Sequence, residues 1–263
     1  MPARPASLLR PPTRRPPMSA APRSFLRRLG APALVLIATL LAGVPAIAGP
    51  IEDQRALDAA RVLSEVLRIP EDSIPTRLLE EAHAIAVVPN VVKAGFVFGG
   101  RRGRGLISIR SKDGTWSNPS FITLTGGSVG FQAGVQSADV ILVFRTQGGV
   151  DSIVNGKVTL GGDASVAAVP VGRSAQASTD EQLKASIYSY SRARGLFAGV
   201  SLDGTRLAID NHSNRAVYGD YHTARAIVEG RAGPGSDAVV SFRDRLEEST
   251  VRQGPDPAAA PAR

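Results

Sequence analysis

The residues best placed to do chemistry are the arginines of Gly99-Gly100-Arg101-Arg102-Gly103-Arg104-Gly105, three guanidiniums in four positions. A guanidinium is planar, permanently charged and forked, which suits the oxygens of a phosphate. Flanking glycines let backbone N–H groups approach the same anion. The segment lacks the Lys-Ser/Thr end and the following helix of a nucleotide-binding loop. Two readings stand for it: an anion-binding turn, or a hairpin tip kept soluble by its charge. Lys93, Arg192 and Arg194 join the first reading if the two Gly-rich regions around them are neighbours in space.

Other constellations carry less. Gly126-Gly127-Ser128-Val129-Gly130 has the spacing of a nucleophile elbow, but that motif needs a strand-to-helix turn, and Phe131 to Val135 reads as strand. No acid–histidine pair stands ready to serve Ser128. His83, His212 and His222 have no metal-ligand spacing, and there is no cysteine, so neither a metal nor another cofactor is expected. Asp139 and Asp210, at the ends of apolar runs, read as caps. No catalytic residue emerges.

The elements that would position these groups follow from periodicity. Ile51 to Leu67 predicts an amphipathic helix with Leu57, Ala60, Leu63 and Leu67 on its apolar face. Six acids against three arginines in 49–75 argue that this helix packs on the domain instead of lying on a membrane. A short helix is expected from Pro75 to about His83. Strands are expected at Ala84–Val88, stopping at Pro89, then Ala94–Phe98 and Leu106–Arg110 on either side of the Gly-rich turn. Phe121–Thr125, Val129–Val135, Asp139–Phe144 and Val158–Val171 follow, with a short helix at Val150–Asn155. Leu196–Leu202 and Thr205–Ile209 read as one hairpin turning on Asp203-Gly204. Short helices are expected at Asn214–Tyr218 and Tyr221–Glu229. The order predicts an α+β fold: N-terminal helices, then a largely antiparallel sheet, open or partly closed into a barrel, and short helices near the C-terminus. Residues 231–263, rich in Gly, Pro and Ala, read as a flexible tail with one marginal helix at Asp237–Leu246.

The formal charge of +8 suggests a nucleic-acid partner and misleads. Seven of the 31 basic residues and none of the 23 acids lie in residues 1–48, so the remainder is nearly neutral. Charge therefore gives no support for nucleic-acid binding. Residues 1–48 have the parts of a secretory signal: an Arg-rich start ending at Arg27-Arg28, an apolar Ala31–Val44, and Ala46-Ile47-Ala48 with cleavage between Ala48 and Gly49. The apolar run falls short of the ~20 residues a membrane span needs. Met18 is an alternative start, because Met18–Ala48 is itself a complete signal. An exported protein, periplasmic or secreted, is the expectation, with a helix at 49–74 ahead of a domain at 75–230.

The wording of three blocks is more specific than their physics. Tyr188, Ser189, Arg192, the run Gly195 to Leu202, and Gly204 form the first; Ala84 to Pro89, Lys93 to Phe96, Gly99-Gly100, Gly103 and Gly105 the second; Pro119 to Gly134 the third. Together, across roughly 74–230, they resemble the SYLF domain family. That resemblance implies a non-enzymatic module binding anionic phospholipid, with phosphoinositide headgroups recognised by eukaryotic members, and a membrane surface as partner. Arg101, Arg102, Arg104, Lys93, Arg192 and Arg194 are then candidates for the headgroup phosphate. Phe96, Phe98, Leu196 and Phe197 are candidates for the membrane. The alternative is an envelope structural or protein-interaction domain whose lipid affinity is incidental.

Overall fold

A sheet whose central strand is apolar on both faces must be covered twice, and the architecture follows from that. The computed structural model describes residues 49–68, 74–95, 98–129, 134–168, 185–193 and 196–250. The expected leader with Ala48, and the end beyond Thr250, lie outside them. Among the described residues nine strands form one sheet: β1 (Ala84–Gly95), β2 (Phe98–Ile109), β3 (Ser120–Val129), β4 (Gly134–Phe144), β5 (Lys157–Thr159), β6 (Val166–Ala168), β7 (Ile187–Ala193), β8 (Leu196–Gly199) and β9 (Thr205–Ile209). Their order is β5-β9-β3-β2-β1-β4-β7-β6, with β8 pairing the far half of β7. All pairs are antiparallel except β6–β7.

The sheet curls. β5 and β6 sit at opposite ends of the path, and at about 4.8 Å per step a flat sheet would hold them about 34 Å apart. Only Leu160 to Ser165 join them, a span of at most about 25 Å if fully extended. These residues are not extended: Gly161 N–H donates to Ala164 O at 2.8 Å, closing a tight turn. Side chains from both ends of the path accordingly meet in one cluster. Val158 of β5, Ala164, Ile187 of β7 and Leu207 of β9 pack with Ala86 and Leu142 from the centre. This is the inner face, and α3 (Gln147–Val154) plugs it with Val150 and Ile153.

Helices cover the outer face. α1 (Pro50–Arg68) buries Ala56, Ala59, Val62, Leu63 and Val66, and α6 (Asp237–Thr250) buries Val239, Phe242 and Leu246, both against Ile85, Val87 and neighbouring side chains of the sheet. The apolar stripe of α1 thus lies beside the expected one: Leu57 is 45% exposed, while small Ala56 and Ala59 let the helix approach closely. The segment read as a flexible tail is ordered through Thr250. Three apolar residues at helical spacing outweigh its Gly/Pro-rich flanks, and Trp116 Nε1 donates to Thr250 Oγ1 at 2.7 Å. Shorter helices α2 (Thr76–Glu80), α4 (Asn211–Tyr218) and α5 (Ala224–Val228) complete the layer.

Three further expectations change. Pro89 does not end β1. The strand passes through a bulge between Val88 and Val91, with Asn90 at φ 51°, and continues to Gly95. The Gly99–Gly105 segment is not a turn but the first half of β2. Its glycines make room for the bulge. A Cβ on Gly103 would lie 2.6 Å from Val88 Cγ1, and one on Gly105 would collide with the Val87 carbonyl and lie 2.7 Å from Val88 Cα. Leu196–Gly199 and Thr205–Ile209 do not pair with each other: β8 adds to β7, and β9 inserts between β3 and β5. The Asp203-Gly204 turn exists, with Thr205 N–H donating to Leu202 O at 2.9 Å. Only Gly204 of the two has positive φ (70°), whereas the tight hairpin turn needs it at both positions. Instead of folding the chain back on itself, the turn carries it across the curl.

A buried polar knot fixes α1 to this frame. Arg55 Nη1 donates to Ser213 Oγ at 3.0 Å and lies 3.7 Å from Asp210 Oδ2, while its Nη2 lies 3.8 Å from Glu52 Oε1. The guanidinium stands 5.5 Å from the Phe121 ring centroid. Burial pulls Arg55 below its ordinary value, and the two carboxylates pull it back. Asp210 also caps α4 by accepting from Ser213 N–H.

Two outcomes are expected. Gly105→Ala lowers unfolding free energy by on the order of 3 kcal/mol through overpacking, whereas Gly127→Ala, with open space around it, stays within about 0.5 kcal/mol; urea denaturation compares them, and equal effects would contradict the bulge. Arg55→Ala strands the buried Glu52 and the partly buried Asp210 carboxylates and costs about 3–5 kcal/mol, more than Ser213→Ala at about 1–3 kcal/mol. Thermal or urea unfolding that ranks Ser213→Ala above Arg55→Ala would contradict this arrangement.

Candidate functional site

The candidate site lies where β1, β2 and β4 run beyond the bulge and outlast their apolar cover. Along β4 the burial falls from complete at Val140–Phe144 to exposed at Gly134–Ser137. Side chains alternate faces along a strand. Val91 and Ile107 belong to the inner cluster, so Lys93 and Arg101, an even number of positions away, also point inward. Lys93 and Arg101 are direct partners in the β1–β2 register, and Lys93 is also opposite Gln136 in the β1–β4 register. Two cations thus face each other across one ladder rung, an arrangement that is unfavourable by itself.

They line a cavity of about 270 Å³. Its floor is apolar, from Val91, Val140, Val200 and Leu202; its walls include Gln136, Ser137, Ser191 and Ser201. No acidic residue lines it among the described residues. Arg101 Nη1 donates to the Ser201 carbonyl at 3.1 Å, which holds the guanidinium over the loop between β8 and β9. Its Nε is buried and has no hydrogen-bond partner among the described residues. Burial pushes this guanidinium below its ordinary value. Of the exposed aliphatic side chains at these strand ends, Leu196 is 69% exposed and stands at the mouth, where it pairs with the lining residue Ala193, whereas Val92 and Val135, one position from Lys93 and Gln136, point to the opposite face with Arg102.

The residues singled out from the sequence are therefore distributed. Lys93 and Arg101 come together. Arg102 and Arg104 point to the opposite face, because β2 is strand there and alternation separates neighbours. Arg102 is exposed beside Val92 on the β1–β2 ladder, and Arg104 lines a shallow groove with Ile51 and Arg55 of α1. Arg192 also faces outward, ion-paired to Glu65 of α1 and 3.8 Å from Asp139 Oδ2. It does not join the cavity. Arg194 and Phe96 lie outside the described residues, as do the side chains of Phe98 and Phe197. Leu196 is at the rim. Ser128 sits within β3 and β4 is the next described element, so the described residues form no strand-to-helix elbow. Sequence reasoning missed Gln136, Ser191 and Ser201. The one available signal was β4 changing from Val140-Ile141-Leu142-Val143 to Gln136-Ser137, which marks where the strand leaves the core.

A family model described as "Ysc84: Las17-binding protein actin regulator" matches residues 125–248, from β3 into α6. The chain is 42% identical over 164 residues to LAS seventeen-binding protein 3 of Saccharomyces cerevisiae, covering 61% of this chain and 36% of that protein. It is 37% identical over 188 residues to Protein YSC84 of the same yeast, covering 70% and 40%. It is also 35% identical over 169 residues to SH3 domain-containing YSC84-like protein 1 of Homo sapiens, covering 62% and 49%. The chain thus spans between about a third and a half of the length of these curated relatives. With the curled sheet and its helical cover, these matches show that the chain carries a domain of the Ysc84, or SYLF, family.

Proposed function

We propose that the protein is an exported, non-enzymatic binding module that docks on membranes containing anionic phospholipid. The supporting observation is the tip where the strands outlast their cover: Leu196 is exposed beside Lys93 and Arg101 on the inner face, Val92 and Val135 are exposed beside Arg102 on the other, and no carboxylate lines the inner mouth among the described residues. Aliphatic side chains exposed together beside cations are the composition of a surface that meets acyl chains and phosphates at once. Burying an aliphatic side chain of this size contributes about 1.5–3 kcal/mol. A cation near an anionic surface adds about 1 kcal/mol. A few of each suffice for reversible docking, and Arg102 adds a further cation beside Val92. Away from this tip the outer face serves structure: its Arg192 is committed to Glu65, and its strands carry α1 and α6.

The names of the relatives favour a second reading, in which the same domain binds a protein partner, as LAS seventeen-binding protein 3 is named for doing. Vesicle sedimentation separates the two. Docking is expected to grow with the phosphatidylglycerol fraction, to weaken as salt rises through the range where the screening length falls below about 10 Å, and to drop about tenfold or more in Leu196→Asp or Val135→Asp. Sedimentation indifferent to lipid charge and to these substitutions would overturn the membrane reading in favour of the protein-binding one.

A further inference from the structure

The cavity behind the rim has its own chemistry, distinct from the surface that surrounds it. Arg101 is held by one neutral carbonyl, its Nε is buried without a partner, and Lys93 stands directly across the ladder. Withdrawing a charge from water without a counter-charge is unfavourable. Elsewhere the fold sets acids beside Arg55, with Glu52 and Asp210, and beside Arg192, with Glu65, while Arg110 is held by the Glu80 and Gly114 carbonyls over the Trp116 ring. At Arg101 the chain supplies no acid among the described residues. A lining of this kind suits an anion.

We propose that this cavity is an internal site for a small phosphorylated polyol, about the size of glycerol phosphate, whose phosphate lies between Arg101 and Lys93. This rests on the membrane-docking reading for the lipid-borne form of the ligand, but the site itself does not require a bilayer. Size sets the class. The cavity measures about 270 Å³. That matches a phosphate with a short polyol and falls below the roughly 300–1,000 Å³ of sites that enclose larger ligands. Diacyl chains must therefore stay outside, at the level of the rim. Chemistry sets the orientation. The Nε edge of Arg101 and the Lys93 ammonium offer donors to phosphate oxygens, Gln136 and Ser191 offer hydrogen bonds to polyol hydroxyls, and the floor of Val91, Val140 and Val200 supplies no second charge.

The two sources of such a phosphate, a free ester and a lipid headgroup, give separable results. With the full chain and sn-glycerol 3-phosphate in solution, saturable binding is expected by calorimetry, accompanied by a rise in melting midpoint, while glycerol alone gives neither. Arg101→Met removes an uncompensated charge while keeping the side-chain volume. It is expected to raise the ligand-free midpoint and to weaken glycerol phosphate binding about tenfold or more, whereas loss of a purely structural arginine would lower that midpoint. Should Arg101→Met fail to fold, Lys93→Met, at an exposed position, carries the binding test. No binding of glycerol phosphate, or binding unchanged in these variants, overturns the site, and charge-dependent vesicle docking that survives in the same variants then leaves the membrane reading intact. Glycerol phosphate binding that both variants weaken, together with no vesicle docking, supports the site and overturns the membrane reading.

Discussion

The structure depends on one constraint: strand β1 is apolar on both faces and must be dry on both. Ala84, Ala86 and Val88 face inward while Ile85 and Val87 face outward, all at 0% exposure. Helices α1 and α6 can cover one side only. The other side is dried by the sheet itself, which bends until β5 and β6 are within reach of a short connection. Curling in turn demands a place where a strand can bend, and the Val88–Val91 bulge of β1 provides it. The bulge pushes backbone towards β2, which is why β2 carries glycine at 103 and 105. A segment rich in glycine and arginine is thus glycine-rich for packing, and its arginines are passengers sorted by alternation.

That sorting explains what could be read from the sequence and what could not. Element types were legible almost throughout, because Ile51–Leu67 has helical periodicity and Ala84–Val88 has the continuous apolar run of a two-sided strand. The α+β class and the partial closure of the sheet followed from the same pattern. Pairing was not legible. Asp203-Gly204 promised a hairpin on local chemistry, yet β8 and β9 find partners on opposite sides of the curl, a choice made by tertiary contacts and by the sign of φ at Asp203. Pro89 promised a stop, but its missing N–H is tolerated at a bulge. The helix Asp237–Thr250 was underrated because flanking Gly and Pro hid three core residues, Val239, Phe242 and Leu246.

The candidate site was half legible for the same reason. Composition identified an arginine cluster, and composition is blind to faces. Once β2 is strand, Arg101 joins Lys93 inside while Arg102 and Arg104 leave on the outside, and Arg192 is consumed by Glu65. What distinguishes the inner pair is less the number of charges than the absence of carboxylates beside them. Elsewhere the protein sets acids beside arginines it withdraws from water, as buried Arg55 beside Glu52 and Asp210 and half-buried Arg145 beside Glu81 at 2.5 Å. Members of the Ysc84 family among yeast and mammalian proteins carry this domain within chains two to three times longer than the matched part. A site built into the domain's own sheet does not depend on whatever else those chains contain.

The most direct test of the electrostatic claim is a crystal structure of the full chain grown with glycerol phosphate. The account predicts one phosphate inside the curl, within hydrogen-bond distance of Arg101 Nε and the Lys93 ammonium, with the polyol towards Gln136 and Ser191. A phosphate bound instead on the outer face at Arg102 and Arg104, with the inner cavity holding only water, would contradict it.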